Sequence, residues 1–175
     1  MKPEEIEIVD TAKKYAIQCH EKTNHLYDNK PYELHLNMVF YYADKYSYLL
    51  KRDEYVIAIA SAFAHDVIED TRETYNDVKK VLGETIADVV YALTNEKGKT
   101  RDERANENYY KGIRNCDIAT YVKICDRLAN VTYSSQNKQS GMFKKYKKEH
   151  PEFCEKIFKH RFLKMIVDLD SKMKE

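Results

Sequence analysis

Apolar residues recur along this chain at spacings of three and four, the period of an α-helix with one buried face. Val9, Ala12, Ala16 and Cys19 predict a helix over about 3–20. Asn24 to Pro31 holds Asn, Asp and Pro and reads as a loop. A second helix is expected after Pro31, with Leu34, Met38 and Tyr41 or Tyr42 facing inward. A third is expected from about Asp53, acting as N-cap, to Asp70. Its interior, Val56 to Ala64, is apolar almost all round, the pattern of a central buried helix. Gly83 separates two further helices over about 74–82 and 84–94, the latter burying Ile86, Val89, Val90 and Leu93. The polar stretch Asn95 to Asn106 reads as a loop entering a helix near Glu103 to Ile113. Ile118, Val122, Cys125 and Ala129 predict a helix over about 117–133, followed by a polar loop from Ser134 to Gly141. The remainder, 142–172, is expected to form one or two helices, with Pro151 in a first turn and Phe158, Phe162, Met165 and Leu169 as the buried stripe. No run alternates as a strand does. The expected fold is all-α, a helical bundle around a buried central helix, in a single domain over residues 1–175.

Composition supports this picture. Four glycines and three prolines leave few breakers, against a turn-rich β-fold and for long helices. The balance of 30 basic to 29 acidic residues argues against a partner that is polymeric nucleic acid. No apolar run approaches the ~18–20 residues of a membrane span, and the acidic N-terminal stretch lacks the apolar core of a signal peptide. A cytoplasmic protein without a membrane partner is expected. Cys19, Cys116, Cys125 and Cys154 show no C-x-x-C spacing and read as free thiols, none an evident nucleophile or ligand. His20, His25, His150 and His160 read as histidines without a chemical role, and Tyr41, Tyr42, Tyr46 and Tyr48 as core and rim. The oligomeric state is not legible.

The chemistry concentrates at the end of the apolar third helix. His65, Asp66, Glu69 and Asp70 fall within two turns there, at helical spacings of three and four. Carboxylates gathered so closely repel one another, and burial raises their pKa values, unless a cation neutralises them. Imidazole with carboxylate is a transition-metal ligand set. His35, after Pro31 and Tyr32, and Asp126, on the inner stripe of an apolar-periodic helix, supply the same ligand types. His35, His65, Asp66 and Asp126 together make a set of two imidazoles and two carboxylates. A metal in such a site with open positions activates water near neutral pH. A second feature is the basic loop of Lys97, Lys99, Arg101 and Arg104, with Gly98 allowing a tight backbone. These groups suit phosphate, and the loop is expected to reach over the metal.

The order His, His-Asp, Asp resembles the HD-domain metal-dependent phosphohydrolases. Pro31-Tyr32-x-x-His35, His65-Asp66-x-x-Glu69-Asp70-Thr71 and Asp126-Arg127-Leu128-x-Asn130 are similar to the hydrolase domain of RelA/SpoT proteins and to small alarmone hydrolases. The likeness covers about residues 8–133. It implies removal of the 3′-pyrophosphate from guanosine tetra- and pentaphosphate, with Mn²⁺ as the metal. It further implies that His35, His65, Asp66 and Asp126 hold the metal, and that Glu69 and Asp70 orient water and handle protons. Asn130, Tyr32 and Tyr146 would lie near the nucleotide. The chain departs from the family in three places: Leu36 follows His35 where Pro is usual, Asn24 to Lys30 lacks an Arg-rich segment, and Val131-Thr132 follows Asn130 without the usual Arg. These bear on guanine and alarmone specificity, not on the metal. A nucleotidase of other specificity and a non-catalytic nucleotide-binding module are the alternatives.

Overall fold

A computed structural model describes residues 2–136 and 141–174, apart from the side chains of Arg101 and Asp102. In chain order the elements are α1 (Pro3–Lys22), a hairpin of β1 (Leu26–Tyr27) and β2 (Lys30–Pro31), α2 (Glu33–Lys45), α3 (Arg52–Ala64) and α4 (Val67–Asp70). They continue with α5 (Tyr75–Leu82), α6 (Glu84–Leu93), α7 (Arg101–Arg104), α8 (Glu107–Asn115), α9 (Asp117–Gln136), α10 (Met142–Ile157) and α11 (Leu163–Lys172). Short 3₁₀ turns at Ser47–Leu49 and His160–Phe162 precede α3 and α11. The fold is all-α, as the periodicity predicts. No helix among the described residues is long and apolar enough to cross a membrane.

Helix α3 is the centre of the bundle and packs on α1, α2, α6 and α9. Its alanines at 58, 60, 62 and 64 are all fully buried, and their small side chains let those four neighbours approach closely. Helices α2 and α9 lie side by side. The buried Tyr121 hydroxyl donates to the Ala43 carbonyl at 2.5 Å, and the Tyr42 and Thr132 hydroxyls bond at 2.7 Å. Removing the partner of either buried polar group would cost about 1–3 kcal/mol. This pairing sets His35 on α2 against Asp126 on α9.

Several expectations change. The third helix does not run to Asp70: it ends at Ala64, and α4 begins at Val67. The His65 imidazole Nδ1 bonds the Ala62 carbonyl at 2.9 Å, and Asp66 takes a non-helical conformation. Its start also differs. Lys51 is the N-cap, its N–H donating to the Glu54 carboxylate at 2.7 Å, and Asp53 is inside the first turn. The buried face of α2 is rotated by about one residue, with Leu36, Val39 and Tyr42 inward and Leu34 and Met38 only half-buried. Asn24 to Pro31 contains a two-residue hairpin whose turn, Asp28-Asn29, has φ of +51° and +61°. Asp and Asn tolerate that left-handed conformation through their short polar side chains.

Later in the chain, the helix expected near Glu103 splits into α7 and α8, with Asn106 capping α8 by accepting the Tyr109 N–H. Ser134 to Gln136 belong to α9, and 137–140 lie outside the described residues. Pro151 sits inside α10, where its ring nitrogen cannot donate to the Lys147 carbonyl. Phe158 falls in the break after α10 and is exposed, so the last buried stripe begins at Phe162.

Candidate metal centre and active-site cavity

The His-Asp pair owes its geometry to the break between α3 and α4. Adjacent residues on a continuous helix point about 100° apart. Here His65 Nε2 and Asp66 Oδ2 converge to 2.9 Å. His35, in the first turn of α2, brings its Nε2 within 3.2 Å of His65 Nε2 and 3.6 Å of Asp66 Oδ2. Asp126 Oδ1, from the middle of α9, lies 3.3 Å from His35 Nε2 and 3.9 Å from His65 Nε2. His35, His65 and Asp126 are buried, and Asp66 nearly so.

These separations fit a hard or borderline divalent cation. Bonds of about 2.1 Å at right angles put neighbouring ligand atoms about 3 Å apart. Two imidazole nitrogens aimed at each other inside a carboxylate pair also need a positive charge between them. The charge distribution expresses this. Burial would lower the His35 pKa, but hydrogen bonds to Asp126 and Asp66 raise it to about 9. Burial would raise the Asp66 carboxyl, yet His65 and His35 hold it well below the usual range. Burial likewise acts upward on Asp126, and Lys123 and the two histidines draw it down. A divalent cation held here would supply the positive charge that these groups favour. His35, His65 and Asp126, whose ligand atoms all lie within 4.8 Å of one another, could hold one, and Asp66 adjoins the two histidines.

His35, Asp66 and Asp126, with His65 packed beneath them, form the floor of an open cavity of about 260 Å³. Glu69 and Asp70 reach its wall from α4. Glu69 is fixed by the Asn95 side chain and backbone N–H at 2.5 and 3.3 Å. Asp70 is pushed up to about 7 by burial and by the charges of Asp66 and Glu69. Thr71 ends α4 by donating to the Val67 carbonyl at 2.5 Å and accepting the Glu73 N–H. Tyr32, the N-cap of α2, donates its hydroxyl to Asp66. Tyr146, on α10, lines the opposite wall beneath the Arg127 guanidinium, which lies 4.8 Å from its ring centre.

Asn130 lines the cavity but has both ends of its amide engaged. Its Nδ2 donates to Asp126 at 2.5 Å, and its Oδ1 accepts the Tyr27 hydroxyl at 2.9 Å. The basic loop divides. Arg104 lines this cavity and also a neighbouring hollow, which Lys97 lines with Glu69 and Asn95. Lys99 is exposed and lines neither, and the Arg101 side chain lies outside the described residues. The loop folds on itself. Glu103 accepts the N–H groups of Lys99 and Thr100, and a Cβ at Gly98 would meet the Glu103 Cβ at 2.6 Å.

Sequence reasoning missed Tyr27, Asn95, Lys123, Arg127 and Lys156, all of which line the cavity. Lys123 bonds Asp126 at 3.0 Å, a spacing of three on one helix that was available as a signal. Arg127 adjoins Asp126 in sequence, pairs with Glu149 at 3.1 Å and stacks over Phe153. Tyr27 stacks on His35 with ring centres 4.8 Å apart, a contact no local pattern announces. His20 and His25 touch the site through Tyr32, with their rings stacked 4.1 and 4.3 Å from it.

No family model matches the chain. Several relatives do. The chain is 27% identical over 104 residues to guanosine-3′,5′-bis(diphosphate) 3′-pyrophosphohydrolase MESH1 of Danio rerio, covering 59% of this chain and 58% of that protein. It is 33% identical over 138 residues to the guanosine-3′,5′-bis(diphosphate) 3′-pyrophosphohydrolase of Aquifex aeolicus, covering 74% of this chain and 18% of that protein. The match thus spans little more than half the length of the MESH1 protein and less than a fifth of the other. A solved structure described as a metazoan ortholog of SpoT that hydrolyzes ppGpp superposes with a TM-score of 0.73 at 18% identity, over 95% of this chain and 94% of that one. The likeness read from the motifs therefore holds in both fold and sequence: the chain has the helical fold of the HD-type hydrolases and is related to the ppGpp hydrolases.

Proposed function

We propose that this chain, as a single domain, is a metal-dependent phosphohydrolase of a phosphorylated nucleotide, with guanosine 3′,5′-bis(diphosphate) as first candidate and loss of the 3′-pyrophosphate as the reaction. One observation carries the reading. Two imidazoles and two carboxylates converge at the floor of a cavity whose walls hold both further carboxyl groups, Glu69 and Asp70, and cations. The relatives supply the substrate candidate. Mn²⁺ is the metal proposed at His35, His65, Asp66 and Asp126, and the cytoplasm the proposed location.

When bound, the cation supplies Lewis-acid polarisation of phosphoryl oxygen and of attacking water. The chain does the rest. Asp70, at the cavity wall beside Glu69, accepts a proton from water and returns it to the leaving oxygen. Glu69, clamped by Asn95, orients the water. Arg104, Lys156 and the stacked Arg127 face the phosphates, Arg being suited to bidentate contact. Tyr32 and Asn130 are positioning residues, holding Asp66 and Asp126 respectively. Lys97, Lys99 and Arg101 are left a role in drawing the anion to the entrance.

A second reading, another nucleotide in the same cavity, is favoured by Tyr27. Its ring covers His35 and its hydroxyl occupies Asn130, within the segment that lacks the family's arginines. The test is phosphate and pyrophosphate release from a panel of phosphorylated nucleotides with Mn²⁺, Mg²⁺ and no metal. Pyrophosphate from guanosine tetraphosphate, with Mn²⁺ only or best, supports the first reading. Faster turnover of another nucleotide supports the second. Tight binding without release shows a non-catalytic module.

A further inference from the structure

The histidines and cysteines set aside in the sequence do not all stay without chemistry. His150 and Cys154 lie one turn apart on α10, and Asp170 reaches them from the last turn of α11. His150 Nε2 bonds Asp170 Oδ1 at 2.6 Å, and Cys154 Sγ lies 3.7 Å from the same nitrogen. Among the described residues, this is the one group besides His35, His65 and Asp126 whose His, Cys and Asp ligand atoms all lie within 4.8 Å of one another.

We propose that His150, Cys154 and Asp170 form a second metal site, selective for a thiophilic divalent cation such as Zn²⁺. Tetrahedral zinc bonds of about 2.0–2.3 Å separate a nitrogen from a sulfur ligand by about 3.5 Å. The His150–Cys154 pair already has that spacing. The His150–Asp170 distance is that of a hydrogen bond, and must open by about 0.7 Å to the roughly 3.3 Å of two ligands on one zinc. The Asp170 side chain is about half exposed and can swing outward to do so. On binding, the Cys154 thiol releases its proton to solvent, the Nε2 proton that His150 shares with Asp170 is exchanged through solvent to Nδ1, and imidazole Nε2, thiolate and carboxylate take three positions, with water in the fourth.

The ligand chemistry separates this site from the cavity floor, which has no thiol among its four candidate ligands. Manganese favours oxygen and nitrogen, whereas thiolate selects zinc. The placement suggests what the site does. Phe153 and Ile157 bury one face of α10 while His150 and Cys154 sit at the margin, so a cation there would pin α11 to the helix that carries Tyr146 and Lys156 into the cavity wall.

Cobalt is the probe, because thiolate ligation gives a sulfur-to-cobalt charge-transfer band that the cavity floor cannot produce. The full chain titrated with Co²⁺ is expected to develop this band and lose it on addition of Zn²⁺. Cys154→Ser should abolish it, Asp170→Asn should weaken cobalt binding by about 10–100-fold, and Asp126→Ala should leave it intact. Absence of the band, its survival in Cys154→Ser or its loss in folded Asp126→Ala overturns the proposal. Should Cys154→Ser not fold, alkylation of the unaltered chain decides. Zn²⁺ is expected to slow modification of Cys154 about tenfold or more, leaving Cys116 unchanged, and an unchanged Cys154 rate overturns the proposal.

Discussion

The floor of the cavity and its rim carry charge by different means. On the floor, His35, His65, Asp66 and Asp126 come from α2, the α3–α4 break and α9, and are bonded from the side by Tyr32, Asn130 and Lys123. Each is buried or nearly so, and each has at least one charged or polar partner within about 3.3 Å. On the rim, Lys97 and Lys99 are exposed, and the carboxylate that organises their loop, Glu103, bonds its backbone rather than their side chains. Buried charges interact strongly because little water screens them, whereas exposed ones more than about 10 Å apart scarcely interact at ordinary salt. The floor is built for one geometry, and the rim for attraction.

The largest effect should follow from removing a floor carboxylate. Asp66→Ala and Asp126→Ala are each expected to abolish Mn²⁺ binding at the floor, measured by calorimetry, and turnover with it. Either variant binding Mn²⁺ as tightly as the unaltered chain would break the contrast. Next comes Glu69→Gln, expected to keep the metal while kcat falls about 10²–10⁴-fold. Full activity would remove Glu69 from the chemistry. Among the basic residues, Arg104→Glu should raise KM about tenfold, or ~1.4 kcal/mol, with Lys97→Glu less and Lys99→Glu least. Equal effects at Lys99 and Arg104 would mean that the loop closes over the cavity on binding substrate.

The smallest effect concerns stability far from both regions. Hydrogen bonding and pairing with Arg161 hold Glu54 at about 2, against an ordinary 4.5. A carboxyl lowered on folding stabilises above its unfolded pKa and ceases to do so as pH falls through its folded one. The stability lost in Glu54→Gln should therefore be full above about pH 5 and vanish toward pH 2. Denaturant melts of both chains across that range check it.

The floor was legible in the sequence because carboxylates buried beside imidazoles in apolar helices need a cation to neutralise them. Type and setting pointed to His35, His65, Asp66 and Asp126, and the motif order resembling the HD hydrolases strengthened the reading. The break between α3 and α4 was not legible. Val56 to Asp70 reads as one helix, and a single side-chain bond from His65 to the Ala62 carbonyl marks where it stops. Pro151 misled in the other direction, since tertiary packing of Phe153 and Ile157 carries α10 through it. The rim was read least well. Which of the basic residues enter the cavity depends on how α9 and α10 meet, and so Lys156 and Arg127 took places the sequence offered to Lys97 and Lys99. Tyr27, in a segment that reads as a loop, reached the floor only because a two-residue hairpin folds it over His35.

Metal-dependent hydrolysis at the floor is tested most sharply by pyrophosphate release from guanosine tetraphosphate as Mn²⁺ is restored to the metal-stripped chain. No release is expected without metal, then a rise that saturates near an equimolar amount, and none at any Mn²⁺ concentration in Asp126→Ala. Release that is independent of added metal, or that persists in Asp126→Ala, would contradict hydrolysis by a cation held at these four residues.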